Sequence, residues 1–498
     1  MCTEAHPDRT SSRASWPAHT LADQAFSRAA GAPLISGNTV RILKDGKENY
    51  SAWLEAIGAA KRTIHFESYI IHGDDIGRRF AAALAERARA GVQVRLLYDW
   101  FGGLRFSSRG LWPSLREAGV EVRCFNPLRF DRPFGWLSRD HRKLLTVDGC
   151  LGFVSGLCVG RSWVGYPERG IEPWRDTGVV IQGPAVADIE LAFSETWGMV
   201  GPPILSSELR ARESIPPAGD VTLRVVASMP NTADLYRLDQ LIAVGARRSL
   251  WLTDAYFVGT TLYVQALRSA SKDGVDVRLL VPGVSDVPFI RSLSRSGYRP
   301  LLEGGIRVFE WNGSMLHAKT AVADSRWARV GSTNLNLASW IGNCELDVAV
   351  ENEPFAQAME QMYLEDLAHT TEIVLSVKRR ILPTERPQPS RRLRIKGSAG
   401  RAAAGAIGIT QTVGAAITNR RALGPAEARV MAGAGLLLVG LAVITVLWPK
   451  TITVPLAVVL AWVAVSLFVR AHRLHVKGYE SQGALESKLR PPNVGSLR

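Results

Sequence analysis

Through most of its length the chain alternates short runs of Val, Ile and Leu with longer stretches of helical periodicity. Runs such as VQVRLLYD in 92–99 and VEVRCF in 120–125 read as strands, while GRRFAAALAERARA and TLYVQALRSASKDG repeat their apolar positions every three to four residues and read as helices. That alternation predicts an α/β protein. A glycine stands before each of four apolar runs, at Gly91, Gly119, Gly274 and Gly305, where a helix would end and a strand begin.

The pattern is written twice. AGVQVRLLYD at 90–99 matches DGVDVRLLVP at 273–282, and AGVEVRCF at 118–125 matches GGIRVFEW at 304–311. Upstream, AIGAAKRTIHFESYII at 56–71 parallels LIAVGARRSLWLTDAYFV at 241–258. Matched blocks in the same order indicate duplication of a unit of roughly 150 residues. The Pro-rich, polar stretch 201–220 between the copies reads as a linker that lets the halves pack face to face.

After residue 375 the pattern changes. From Lys378 to Arg429 twelve Lys or Arg face only Glu385 and Glu427, which predicts a basic juxtamembrane run. VMAGAGLLLVGLAVITVLW at 430–448 and ITVPLAVVLAWVAVSLFV at 452–469 follow, apolar all round and parted by PKT, and predict a transmembrane helical hairpin. Arginines flank its outer ends, so the positive-inside rule places both ends and the catalytic halves in the cytoplasm. The apolar, Gly- and Ala-rich 402–419 has no assigned structure. The N-terminus shows no apolar core of a signal peptide, which predicts a protein that starts in the cytoplasm.

A net charge of +14 predicts attraction to polyanions, either nucleic acid or an anionic membrane surface. Five scattered cysteines without a CxxC pair point to neither a disulfide framework nor a zinc site. No cluster of metal ligands is evident, and no cofactor is expected.

The candidate chemistry sits at equivalent places in the two copies. DHRKLLTVDG at 140–149 and LHAKTAVADS at 316–325 each hold a His, a Lys two residues on and an Asp five beyond: His141, Lys143 and Asp148, then His317, Lys319 and Asp324. Side chains two apart on a strand share a face, so each motif sets an imidazole beside an ammonium. An Asp five beyond the Lys falls on the opposite face of an unbroken strand, a place for structure or orientation. Two histidines and two lysines across a cleft suit attack on a phosphodiester, with one His as nucleophile, the other as acid, and the lysines offsetting developing charge.

These are HKD motifs, and over residues 38–370 the chain resembles the phospholipase D superfamily, most of all the bacterial cardiolipin synthases. GSTN at 331–334, NCE at 343–345 and WRDT at 174–177 match further family signatures. The resemblance implies two duplicated phospholipase D-type α/β domains, each a mixed sheet flanked by helices. It implies that Asn334 donates to the phosphate with Ser332 in support, that Glu345, next to Asn343, orients His317, and that Asp176 orients His141. By the resemblance His141 is the nucleophile and His317 the acid, although the symmetry of the residues leaves those roles open. The first half departs from the pattern: where the family has GGxN this chain has SGLC, with Ser155 and Cys158. It also carries an extended 126–140, with Phe130, Phe134, Trp136, Arg129, Arg132 and Arg139, which would face a headgroup interface or shape the acceptor pocket.

The expected organisation is an extension at 1–37, HKD domains at 38–200 and 221–375 around the 201–220 linker, the basic segment 376–429, the hairpin 430–469 and a cytoplasmic tail 470–498. The expected activity is transfer of a phosphatidyl group from phosphatidylglycerol to an alcohol through a phosphohistidine. Expected partners are anionic phospholipids and the membrane, with one chain supplying both motifs. Hydrolysis to phosphatidic acid, an HKD nuclease and an inactive lipid-binding scaffold are the alternatives. The membrane hairpin argues against nucleic acid as substrate.

Overall fold

The four glycines do end helices. Gly91, Gly119, Gly274 and Gly305 have φ of 88°, 94°, 91° and 85°, the left-handed turn that glycine enters without a Cβ penalty. Around Gly91 the Val92 amide reaches back to the Arg87 carbonyl at 3.0 Å, and around Gly274 the Val275 amide reaches Ala270 at 3.1 Å. The chain is thereby reversed straight into the next strand.

The computed structural model describes residues 18–107, 110–127, 138–375 and 381–383, with separate helical positions between 435 and 468 (435–436, 439–440, 442–445, 447, 450, 453–465 and 468). A first helix, α1 (Ala18–Ala30), precedes β1 (Ile35–Lys44), α2 (Asp45–Ala59) and β2 (Thr63–Ser68). Then come α3 (Asp75–Arg89), β3 (Gln93–Asp99), α4 (Trp100–Phe106), α5 (Leu111–Glu117) and β4 (Glu121–Phe125). The first half closes with β5 (Lys143–Val147), β6 (Leu151–Ser155), β7 (Thr177–Gln182) and α6 (Val186–Met199).

The second half starts with β8 (Val221–Ser228), α7 (Asp234–Gly245), β9 (Ser249–Thr253), α8 (Thr261–Lys272) and β10 (Asp276–Pro282). It continues through α9 (Pro288–Leu302), β11 (Arg307–Trp311), β12 (Thr320–Ala323), β13 (Trp327–Gly331) and β14 (Glu345–Glu351). The last described elements of this half are α10 (Glu353–Leu367), β15 (Thr370–Leu375) and β16 (Ile381–Pro383). Helix starts follow side-chain chemistry: Asp74 accepts from Gly77 before α3, Thr260 from Tyr263 before α8, and Asn352 from Phe355 before α10.

The two halves repeat strand for strand. The first lies in the order β1-β7-β6-β5-β2-β3-β4 and the second in the order β8-β14-β13-β12-β9-β10-β11. In both, the three strands of the βαβ part are parallel and the rest antiparallel, which makes each a mixed sheet. Duplication of an α/β unit is thus visible in the topology.

The halves meet in two ways, one of them unforeseen. Face to face, Val154, Val179 and Ile181 share one buried apolar layer with Ala328, Val330, Leu346 and Val348. Edge to edge, β1 pairs with β8 across a shift in register, so that sixteen strands run as one sheet. Both N-terminal edges thus have a partner.

Other boundaries shift. The expected extension at 1–37 contains α1, whose Ala30 joins the apolar core of α7 with Leu235 and Leu238. The expected linker is held down, with Arg212 bonding Asp188 at 2.5 and 3.1 Å and Glu208 bonding Arg95 at 2.6 Å. Within the expected basic segment, β16 adds to the sheet beside β15. The rest of that segment, including 402–419, lies outside the described residues, as does most of 126–140. Among the described residues no helix is long and apolar enough to cross a membrane. The hairpin expected at 430–469 falls in part on residues outside the description.

Candidate active site

His141 and His317 stand two residues before β5 and three before β12, at the ends of strands central to each half. Lys143 Nζ turns back to the His141 carbonyl and Lys319 Nζ to the His317 carbonyl, so each lysine does lie beside its own histidine. All four side chains are buried, His317 at 1% exposure and His141 at 8%. Burial disfavours the ammonium form, which lowers the pKa of Lys143 and takes that of Lys319 down to about 8. An anion arriving between them would reverse that effect.

The carboxylates come from the opposite halves. The expected pairing within each half is incorrect: Glu345 bonds His141 Nδ1 at 2.9 and 3.1 Å, and Asp176 bonds His317 Nδ1 at 2.7 Å. Two isolated backbone bridges enforce the exchange. Asp140 pairs with Cys344, where the His141 amide donates to the Cys344 carbonyl at 2.9 Å. Arg175 pairs with Leu316, where the His317 amide donates to the Arg175 carbonyl at 2.7 Å. Each histidine is therefore laid alongside the strand that bears the other half's acid.

Asp176 also accepts from Trp163 Nε1 at 2.9 Å and from the Thr177 amide at 2.9 Å. Burial works against its charge, but His317, Lys319 and Trp163 prevail and hold the carboxyl below the usual range. Burial, then Lys319, push His317 down to about 3, so the imidazole is neutral and its Nδ1–H donates to Asp176. Nε2 is left with its lone pair. Glu345 is steadied by Ser332 Oγ at 2.6 Å and Asn343 Nδ2 at 3.2 Å, with its pKa raised by burial.

Asp148 and Asp324 leave the set of candidate catalytic residues. Each sits past the far end of its strand at φ of 55° and 53°. Asp148 accepts from the amides of Lys61, Arg62 and Thr63 at 2.7 to 3.3 Å. Asp324 does the same for Arg247, Arg248 and Ser249 at 2.7 to 2.9 Å. They anchor the starts of β2 and β9, the structural role that strand alternation suggests.

The loops after β6 and β13 differ. After β13, Ser332 accepts from the Leu346 amide while bonding Glu345, and Asn334 is buried with its Oδ1 lacking a partner among the described residues. A buried orphan acceptor suits a hydroxyl donor. After β6, Leu157, Cys158 and Val159 belong to the apolar core instead, and Ser155 closes a turn with the Leu157 amide.

Tyr69, Tyr256 and Trp163 stand outside the sequence motifs, and Trp174 enters only as the first residue of WRDT. Tyr69 lies edge-on to His141 at 5.1 Å, and Tyr256 to His317 at 5.8 Å. Lys143 and Lys319 stand 5.5 and 5.7 Å from the same rings. The signal was there in FESYI and TDAYF, displaced by one residue between the copies. Trp163 and Trp174 of the first half complete the wall round His317 at 5.5 and 5.7 Å. Among the described residues no three His, Cys, Asp or Glu gather as a metal site. What remains is a buried cluster of two imidazoles, each oriented by a carboxylate, and two lysines.

The family model described as "Cardiolipin synthase, PLD-like domain" matches residues 53–197 and 240–367. A cardiolipin synthase of Alkalihalophilus pseudofirmus is 32% identical over 69% of this chain and 69% of its own length. Cardiolipin synthase A of Pseudomonas fluorescens is 34% identical over 70% of this chain and 73% of its own. Among solved structures, phosphatidylserine synthase of Haemophilus influenzae superposes with a TM-score of 0.57 at 14% identity, covering 73% of this chain and 92% of that one, a likeness of fold. The duplicated sheets, the paired HKD motifs and the identity to these relatives together place this chain in the cardiolipin synthase family of phospholipase D-like phosphatidyltransferases.

Proposed function

We propose that the protein makes cardiolipin from two molecules of phosphatidylglycerol. One imidazole Nε2 attacks the phosphorus of the first lipid, and the glycerol oxygen leaves with a proton from the other imidazole. The hydroxyl of a second phosphatidylglycerol then returns a proton to that imidazole and attacks the phosphohistidine, which frees the first ring. Lys143 and Lys319 offset the charge on the non-bridging oxygens, and Asn334 donates to them. The family resemblance favours His141 as nucleophile and His317 as acid.

Burial and Lys319 keep His317 neutral, so an acid role requires that it gain a proton as substrate binds. A phosphodiester anion between the lysines offsets the ammonium charge that depresses it, which supplies the drive. The observation that carries the reading is the crossed arrangement of two histidine–carboxylate pairs over two buried lysines. Burial of both histidines favours transfer over hydrolysis, because it limits the water that can reach a phosphohistidine.

The test is mass spectrometry of lipids after the purified protein meets phosphatidylglycerol in detergent micelles. Cardiolipin and glycerol are expected from the wild type and neither from His141→Ala or His317→Ala. Phosphatidic acid as the sole product would make water the acceptor, and turnover by either variant would break the two-histidine mechanism.

The same proposal sets the enzyme on a bacterial inner membrane, held by a hairpin at 430–448 and 452–469 beneath the basic 376–429, with the catalytic halves on the cytoplasmic side. In sealed right-side-out vesicles the catalytic halves should resist added protease until the vesicles are ruptured. Cleavage in intact vesicles would overturn this orientation.

A further inference from the structure

Behind the Asp176–His317 pair lies Asp45, which the reaction above does not use. It opens α2 at φ of 57°, a left-handed conformation that few residues besides Gly, Asn and Asp adopt. In that pose its amide donates to the Asp176 carbonyl at 3.0 Å, and its Oδ1 accepts from the Asp176 amide at 3.0 Å. One residue thus holds both backbone polar groups of Asp176.

The same Oδ1 accepts from Arg175 Nη1 at 3.1 Å. Arg175 is buried, its Nε reaches Asp366 at 2.8 and 3.1 Å, and its carbonyl is the acceptor for the His317 amide. Asp45 therefore grips Asp176 directly and His317 through Arg175. The start of α2 is also seated close: a Cβ on Gly46 would stand 2.4 Å from the carbonyl of Trp163, the residue whose indole donates to Asp176.

The other pair is held differently: the Glu345 carbonyl accepts from the buried Arg142 Nε at 3.1 Å. The residue across from Glu345 is Ser228, part of regular pairing between β8 and β14, and its hydroxyl accepts from the Leu235 amide. The Glu345 side chain is steadied by Ser332 Oγ and Asn343 Nδ2.

We infer that Asp45 is a positioning residue, one that holds Asp176 and His317 in the register where the carboxylate meets Nδ1 and Nε2 is presented to the phosphodiester. This rests on the phosphatidyl-transfer reading. The test uses the full-length chain with phosphatidylglycerol micelles and measures glycerol release, which counts transfer and hydrolysis alike.

Asp45→Gly keeps the left-handed backbone available and removes the carboxylate, while Asp45→Asn keeps an oxygen acceptor. The Gly variant should lose about 10- to 100-fold in kcat with KM within about twofold, and the Asn variant should recover most of that loss. A folded Gly variant with wild-type kcat overturns the inference, as does an Asn variant no better than the Gly one. Should the Gly variant not fold, Asp366→Asn, which loosens Arg175 and leaves Asp45 in place, must still lower kcat at constant KM; an unchanged kcat there is equally fatal. A wild type that releases no glycerol would sink the transfer reading itself.

Discussion

The two halves share a strand order, a His–Lys pair and a buttressing Asp, yet the loops that follow β6 and β13 have diverged in kind. One is polar, with Ser332 bonded to Glu345 and Asn334 buried beside Ser339; the other is apolar, with Leu157, Cys158 and Val159 in the core. Their histidines differ too: Trp163, Trp174 and Tyr256 lie against His317, and His141, beside Tyr69, is the more exposed. Duplication supplied a symmetric frame, and the asymmetry that two chemical roles require sits in loops and lining.

The largest test of that difference compares the loops. Asn334→Ala should lower kcat by about 10²- to 10³-fold, the usual loss for a donor to a developing oxyanion, while Cys158→Ala should stay within about threefold of wild type. Steady-state glycerol release checks both, and comparable losses would mean that the apolar loop also serves the phosphate.

A smaller effect tests the exchange of acids. Asp176→Asn and Glu345→Gln should each cost about 10- to 100-fold, the loss usual for carboxylates that orient a metal-bound imidazole. The pH profile of Asp176→Asn should match that of a His317 defect, and a match to His141 would restore pairing within halves.

Smaller still in activity are the buttresses. Asp148→Ala and Asp324→Ala each strand three amides, so thermal unfolding should show a loss of about 1 to 3 kcal/mol while kcat of the folded protein hardly moves. A large kcat loss with unchanged stability would return these residues to the chemistry.

A last test, of stability alone, is its dependence on pH. A histidine held at about 3 when folded takes up its proton only in the unfolded chain between there and 6.5, so stability should fall as pH drops through that window. Asp176, depressed when folded, adds its own loss only below its ordinary 3.8. Melting temperature against pH should be flatter in His317→Gln, and equal slopes would show that His317 does not carry this dependence.

Much of this was legible in the residues. The repeat, the paired motifs and the NCE and WRDT signatures identified the acids, and strand alternation placed Asp148 and Asp324 away from the chemistry. The pairing was not legible, because a repeat suggests self-contained halves and the bridges at Asp140–Cys344 and Arg175–Leu316 exist only once the halves meet. Tyr69 and Tyr256 were hidden by a one-residue slip between the copies. Asp45 gives no sign in sequence, since its effect depends on a left-handed backbone that brings it against Asp176.

The exchanged acids also govern when the enzyme comes alive. A ribosome that has made the first half has already made a whole HKD motif, but the carboxylate and the backbone partner of its histidine lie some two hundred residues downstream, at Cys344 and Glu345. A growing chain therefore holds His141 before it holds the carboxylate that bonds it. That pair can form only once β14 has been made and docked beside β8.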